Sequence, residues 1–83
     1  MKAPANLCGA VVARLRRAGG LTQEQLRGRC RAAGWAVARS VLAKVENRSR
    51  SVSDFELVAL ASALGVDASR LLGARRRQRH GKS

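Results

Sequence analysis

The segment Val37 to Arg50 reads VARSVLAKVENRSR. Leu42 and Val45 are neighbours at helical spacing, with Val41 at the edge, so one side of a short helix is apolar. The opposite side carries Ser40, Ala43, Lys44 and Asn47. That face has small residues, a cation and an amide, and no large apolar group. A solvated helix face usually mixes Glu with Lys, yet the acid here, Glu46, sits round toward the apolar side. The spacing predicts a helix from about Arg39 to Asn47 with a slim, acid-free outer face.

The flanking sequence supplies more helices and no strand, because β-branched residues nowhere alternate with polar ones. Upstream, Asn6 is a candidate N-cap, and Cys8, Val11, Val12 and Leu15 share one helical face while Arg14 and Arg17 point away. Gly19-Gly20 ends this helix. Thr22 with Gln25 forms a capping box that opens the next, whose inner face is Leu26, Cys30 and Ala33, and Gly34 stops it. Trp35 and Val37 lie in the connection to the basic helix, with Trp35 a cover for the small core. Downstream, residues 48–52 form a polar, basic loop. Ser53 with Glu56 makes a second capping box, and DFELVALASALG is apolar almost all round, so this helix is expected to be buried in the domain or partly in a dimer contact. Gly65 ends it, and Asp67 caps a last short turn carrying Leu71 and Leu72. The expected organisation is an all-α bundle of five helices over residues 1–73, then a disordered basic tail over 74–83.

Eighty-three residues make one small domain, which buries only about 60–65% of its unfolded surface. Two cysteines cannot staple it, and Cys8 and Cys30 both fall on inner faces, where they act as small hydrophobes. No CxxC or Cys/His cluster suggests a metal, and no cofactor is implied. The start, MKAPANLCGAVVARLRR, lacks the apolar run of a signal peptide, and no stretch approaches the ~20 apolar residues of a membrane span. The expected setting is a reducing cytoplasm. Seventeen Lys and Arg against five acids give a net charge of +12 and a sequence pI near 11.9. Such a chain attracts polyanions, most often nucleic acid. One Phe, one Trp and no Tyr are too few rings for a single-strand binder that stacks bases.

Three pieces together, LRRAGGLTQEQL, GWAVARSVLAKVENRSR and DFELVALASALGV, resemble the Cro/CI-like (XRE-type) helix-turn-helix family of DNA-binding regulators. The resemblance spans about residues 7–72. It implies a compact, five-helix, lambda-repressor-like bundle whose third helix enters the major groove, about 12 Å wide. By position in the family, Arg39, Ser40, Val41 and Lys44 are base contacts. Arg39 or Lys44 would pair with guanine, and Val41 would touch a thymine methyl. Gln23 matches a position that commonly holds a phosphate, Thr22 beside it and the loop residues Arg48 and Arg50 are further candidate phosphate contacts, and Arg16 and Glu46 match a pair of positions that the family commonly joins by an ion pair. The sequence departs from the family at Ala38, where Ser or Thr often caps the recognition helix, and at Arg27, where a small residue is preferred. Arg48 stands where Gly is frequent, and residues 27–37 form a longer stretch than in the shortest members.

The resemblance implies a sequence-specific transcriptional regulator that binds double-stranded DNA, with a homodimer on a palindromic site as a further partner and location on the nucleoid as a consequence. The alternatives are an antitoxin-like or other protein-interaction module on the same fold, and a basic peptide acting on membranes. Against the last, the cations are spread over loops, helices and tail rather than laid along one amphipathic helix. The outer face of 39–47 also has a bland reading as an ordinary solvated surface. An enzyme is not expected, since no carboxylate pair, base-activated nucleophile or phosphate loop is present, and His80 has no partner.

Overall fold

The computed structural model describes residues 7–73. Among them there are five helices and no strand: α1 Leu7–Ala18, α2 Gln23–Ala32, α3 Arg39–Glu46, α4 Asp54–Leu64, and α5 over residues 68–73. The Asn6 cap and the tail 74–83 lie outside the described residues. None of these helices is long and apolar enough to cross a membrane.

Local chemistry fixes where the helices begin. At α2 the Thr22 hydroxyl accepts from the Gln25 N–H (3.0 Å) and the Gln25 side chain accepts from the Thr22 N–H (2.9 Å). Ser53 and Glu56 repeat this reciprocal arrangement at α4. Asp67 accepts from the Ser69 N–H (3.0 Å) and starts α5. Each cap satisfies backbone donors that have no partner inside the helix. Helix α3 is the exception, because its N-cap, Ala38, has no side chain able to make that bond.

The ends of α1 to α4 share one device. The chain turns into the left-handed region and directs two N–H groups back onto the last carbonyls of the helix. Glycines supply the positive φ at Gly20, Gly34 and Gly65, but at the end of α3 the residue is Arg48, with φ 67°. Its N–H reaches the Val45 carbonyl (3.1 Å) and the Ser49 N–H reaches that of Lys44 (3.0 Å). A side chain with a Cβ adopts this conformation at a cost of about 1–2 kcal/mol.

The core lies where α2 packs on α4, α3 packs on α2, and α1 packs on α3 and α4. Leu26, Leu42, Leu60 and Leu71 are its largest fully buried side chains, joined by Val12, Val45, Cys8 and Cys30. Both thiols are free, and burial pushes that of Cys30 up to about 11, so it stays protonated at neutral pH. Trp35 packs against the edge of this cluster. The connection from α2 to α3 is pinned by the Trp35 N–H on the Cys30 carbonyl (2.9 Å), by the Val37 N–H on the Trp35 carbonyl (2.9 Å) and by the buried Val37. Arg27 is accommodated by lying back along α2 onto Glu24, one turn earlier (2.6 Å).

Of the two expectations for α4, burial in the centre of the domain does not hold: Phe55 and Val58 are 58% and 57% exposed. Composition made every side of α4 apolar, but α1, α2 and the core take only the side that carries Leu57, Ala59, Leu60, Ala61 and Ala63.

Two substitutions test the account of α3. Ala38→Ser should stabilise the domain by about 0.5–2 kcal/mol by supplying the missing cap. Arg48→Gly should add about 0.5–1 kcal/mol by removing the left-handed penalty, less the extra entropy glycine loses on folding. Urea unfolding of each variant reads both, and a loss of stability in either case would contradict this reading of the helix ends.

Candidate nucleic-acid interface

The exposed side of α3 carries Arg39, Ser40 and Lys44, with Asn47 and Arg48 continuing it past the last turn. Val41 is only half-exposed and packs against the core, so it offers an edge rather than a whole side chain. No acid shares this face. Glu46, the one acid in α3, is turned inward and its side chain is 5% exposed.

The inward turn of Glu46 has a specific partner. Arg16, in the last turn of α1, donates from Nε to Glu46 Oε2 (2.7 Å) and from Nη2 to Oε1 (3.0 Å), a two-pronged pairing. Its Nη1 donates to the Leu21 carbonyl (2.8 Å) in the α1–α2 turn. Gln23, the first residue of α2, donates from Nε2 to Glu46 Oε1 (3.1 Å). One carboxylate therefore ties α3 to the end of α1 and the start of α2, and no buried side-chain polar atom among the described residues lacks a partner.

Around this knot lies an open cleft of about 420 Å³, lined by Arg16, Leu21, Thr22, Gln23, Glu24 and Arg39. It brings together two candidate phosphate contacts, Thr22 and Gln23, and one candidate base contact, Arg39. Gln23 spends its amide N–H on Glu46 in the unbound protein. Arg48 and Arg50 lie toward the other end of α3 and do not join the cleft. Arg50 is held by Glu56 through Nη1–Oε1 and Nη2–Oε2, both 3.0 Å, so its charge is largely compensated. That arginine in turn lowers the pKa of the Glu56 carboxyl, with help from the Ser53 N–H.

Sequence reasoning passed over Glu24. It lines the cleft, and its carboxyl is held below the usual range first by the hydrogen bond from Arg27 and further by the charges of Arg27 and Arg39. Its place beside Gln23 at the start of α2 was the only available signal.

A capped α2, a pinned turn between α2 and α3, and a cationic face of α3 held outward by an inward acid define a helix-turn-helix. Residues 12–71 match the family described as helix-turn-helix, and the chain belongs to that family, in its XRE-type branch of DNA-binding regulators. Among solved structures, the restriction-modification controller protein C.AhdI from Aeromonas hydrophila is 33% identical with a TM-score of 0.68, over 77% of this chain and 89% of that one. The clp gene regulator ClgR from C. glutamicum superimposes with a TM-score of 0.74 over 100% of this chain and 97% of its own, and at 20% identity that likeness is one of fold. No curated protein matches the sequence.

A double-mutant cycle tests whether Arg16 and Glu46 act as a unit. Arg16→Met and Glu46→Gln should each destabilise by about 3–5 kcal/mol, because each strands a largely buried partner. The double variant should cost clearly less than the sum. Additive effects in urea unfolding would mean that the pair does not hold α3.

Proposed function

We propose that this protein is a sequence-specific transcriptional regulator that lays α3 in the major groove of duplex DNA. The observation that carries the reading is the acid-free outer face of α3, left cationic because Glu46 is spent on Arg16 and Gln23. Acids on that face would meet phosphates, whereas Ser40 lets the backbone approach closely.

In this reading Arg39 and Lys44 read base edges, with Arg39 suited to the paired acceptors of guanine. Ser40 and the exposed edge of Val41 fill the space between them. Thr22 and Gln23 hold a phosphate beside the start of α2. Arg48 holds one beyond the end of α3, whereas Arg50 adds less because Glu56 already neutralises it. Two regulators of similar fold, a restriction-modification controller and a clp gene regulator, support regulation of transcription as the outcome of binding. Binding of this kind would keep the protein on the nucleoid.

Selection of bound duplexes from a random pool gives the preferred site. On that site Arg39→Ala should lose about 1–3 kcal/mol of affinity, and much less on random duplex. Equal losses on both would make Arg39 a phosphate contact.

The segment 74–83 adds Arg75, Arg76, Arg77, Arg79 and Lys82. Its proposed role is sequence-independent phosphate affinity. Removing it should lower the slope of log affinity against log salt by about 2–4, with similar losses on specific and random duplexes. Coincident slopes in a salt titration would exclude this role.

A further inference from the structure

Of the five acids in the chain, Glu24 alone lines the cleft that holds Arg39. It follows Gln23 in the first turn of α2, and its side chain is 56% exposed. An exposed acid is unexpected there, because the phosphates of a bound duplex would repel it. Arg27 holds it from one side. The Arg27 Nε donates to Oε1 (3.1 Å) and Oε2 (3.2 Å), and Nη2 donates to Oε2 (2.6 Å). Oε2 is thus the anchored oxygen, whereas Oε1, with one longer bond, keeps a lone pair for a second donor. The hydrogen bond from Arg27, and after it the charges of Arg27 and Arg39, hold the Glu24 carboxyl below its usual range. Two cations from different helices therefore act on one carboxylate, one bonded to it and the other across the cleft.

We propose that Glu24 is a specificity-determining residue, which positions the Arg39 guanidinium for guanine and bars it from phosphate. A guanidinium carries five N–H donors in one plane. Guanine O6 and N7 take two of them along one edge. A neighbouring edge is left for Glu24 Oε1, and this second contact stops the long Arg39 side chain from rotating. Arg39 can therefore serve guanine and Glu24 together. A phosphate is different. Arg39 turned onto a phosphate brings that anion against the Glu24 carboxylate, and Arg27 is already committed. Like charges side by side at an interface cost affinity, so the acid penalises the wrong contact and spares the right one.

The phosphate held by Thr22 and Gln23 lies beside Glu24 on any duplex, so its repulsion cancels when two sequences are compared. What does not cancel is the place of Arg39. A chain with a net charge of +12 binds any duplex through phosphates, and each further phosphate contact raises affinity without information. An arginine free to choose would add to that background. The Glu24–Arg27 pair itself, exposed and one turn apart on α2, contributes little to stability. Its effect is to fix the carboxylate at the mouth of the cleft, where it faces Arg39. This inference rests on the placement of α3 in the major groove proposed above.

The test compares the full chain with Glu24→Gln, Arg39→Ala and the double variant. Each is titrated on the selected site, on that site with the guanine read by Arg39 changed to adenine, and on random duplex. Glutamine keeps the shape of the side chain and removes its charge, and urea unfolding checks that each variant is folded. Glu24→Gln should tighten binding to random duplex about three- to tenfold more than to the selected site, and discrimination of guanine from adenine should fall by about the same factor. The salt slope on random duplex should rise by about 0.9, as Arg39 gains a phosphate, and stay unchanged on the selected site. In the Arg39→Ala background the same substitution should act equally on every duplex. Discrimination that Glu24→Gln leaves intact would overturn the proposal, as would a loss of discrimination that persists without Arg39. Both outcomes leave α3 in the groove. A selected site whose guanine does not depend on Arg39 would also overturn the proposal alone, whereas the absence of any selected site would overturn the functional reading with it.

Discussion

The carboxylate of Glu46 is the point on which the site depends. It receives three N–H groups, two from Arg16 and one from Gln23, and Arg16 in turn closes on the Leu21 carbonyl. Three helices and the α1–α2 turn therefore meet at one group. Burying an ion pair gives little net stability relative to an apolar contact of the same volume, because both charges lose their water. What it supplies is direction. An apolar contact would hold α3 against the core with latitude to rotate or slide. Two parallel hydrogen bonds and a third from the side fix the end of α3 to a particular angle. The same arrangement removes the only acid from the outer face, so orientation and charge pattern have one cause.

That cause matters because α3 is a poor helix by itself. Eight residues are fewer than an isolated helix needs in water. Its start has no side-chain cap, and its end forces an arginine into the left-handed region. The fully buried Leu42 and Val45, together with Glu46, must offset both deficits through tertiary contact. A glycine at position 48 and a serine at 38 would relieve the strain locally. Arg48 retains instead a cation beside the proposed groove-facing surface. Strain accepted at such a place is consistent with a residue kept for what it touches, not for how it folds.

Much of the fold was legible in the sequence because its signals are local. The Thr22–Gln25 and Ser53–Glu56 boxes each span four residues, and Gly20, Gly34 and Gly65 mark helix ends by a conformation that other residues adopt only with strain. Long-range pairings were not legible in this way. The Arg16–Glu46 pair joins residues thirty positions apart, and only resemblance to the family pointed to it. Nothing local said that Arg50 would settle on Glu56, that Gln23 would turn to Glu46, or that Glu24 would line the cleft with Arg39. Which side of α4 stands exposed was not legible for a related reason. A pattern that is apolar in every direction carries no phase, so it cannot tell which side will have neighbours. Only packing decides that Leu57 and Leu60 face the core while Phe55 and Val58 do not.

The charge distribution links these surfaces. With few acids in the chain, each one's position has a large effect on the local field. Glu46 and Glu56 are committed to Arg16 and Arg50, and Glu24 lies on Arg27 with Arg39 nearby. Asp54 and Asp67 flank the cation-free run of α4 and the turn after it. The outer face of α3 thus keeps its cations, whereas α4 itself carries none.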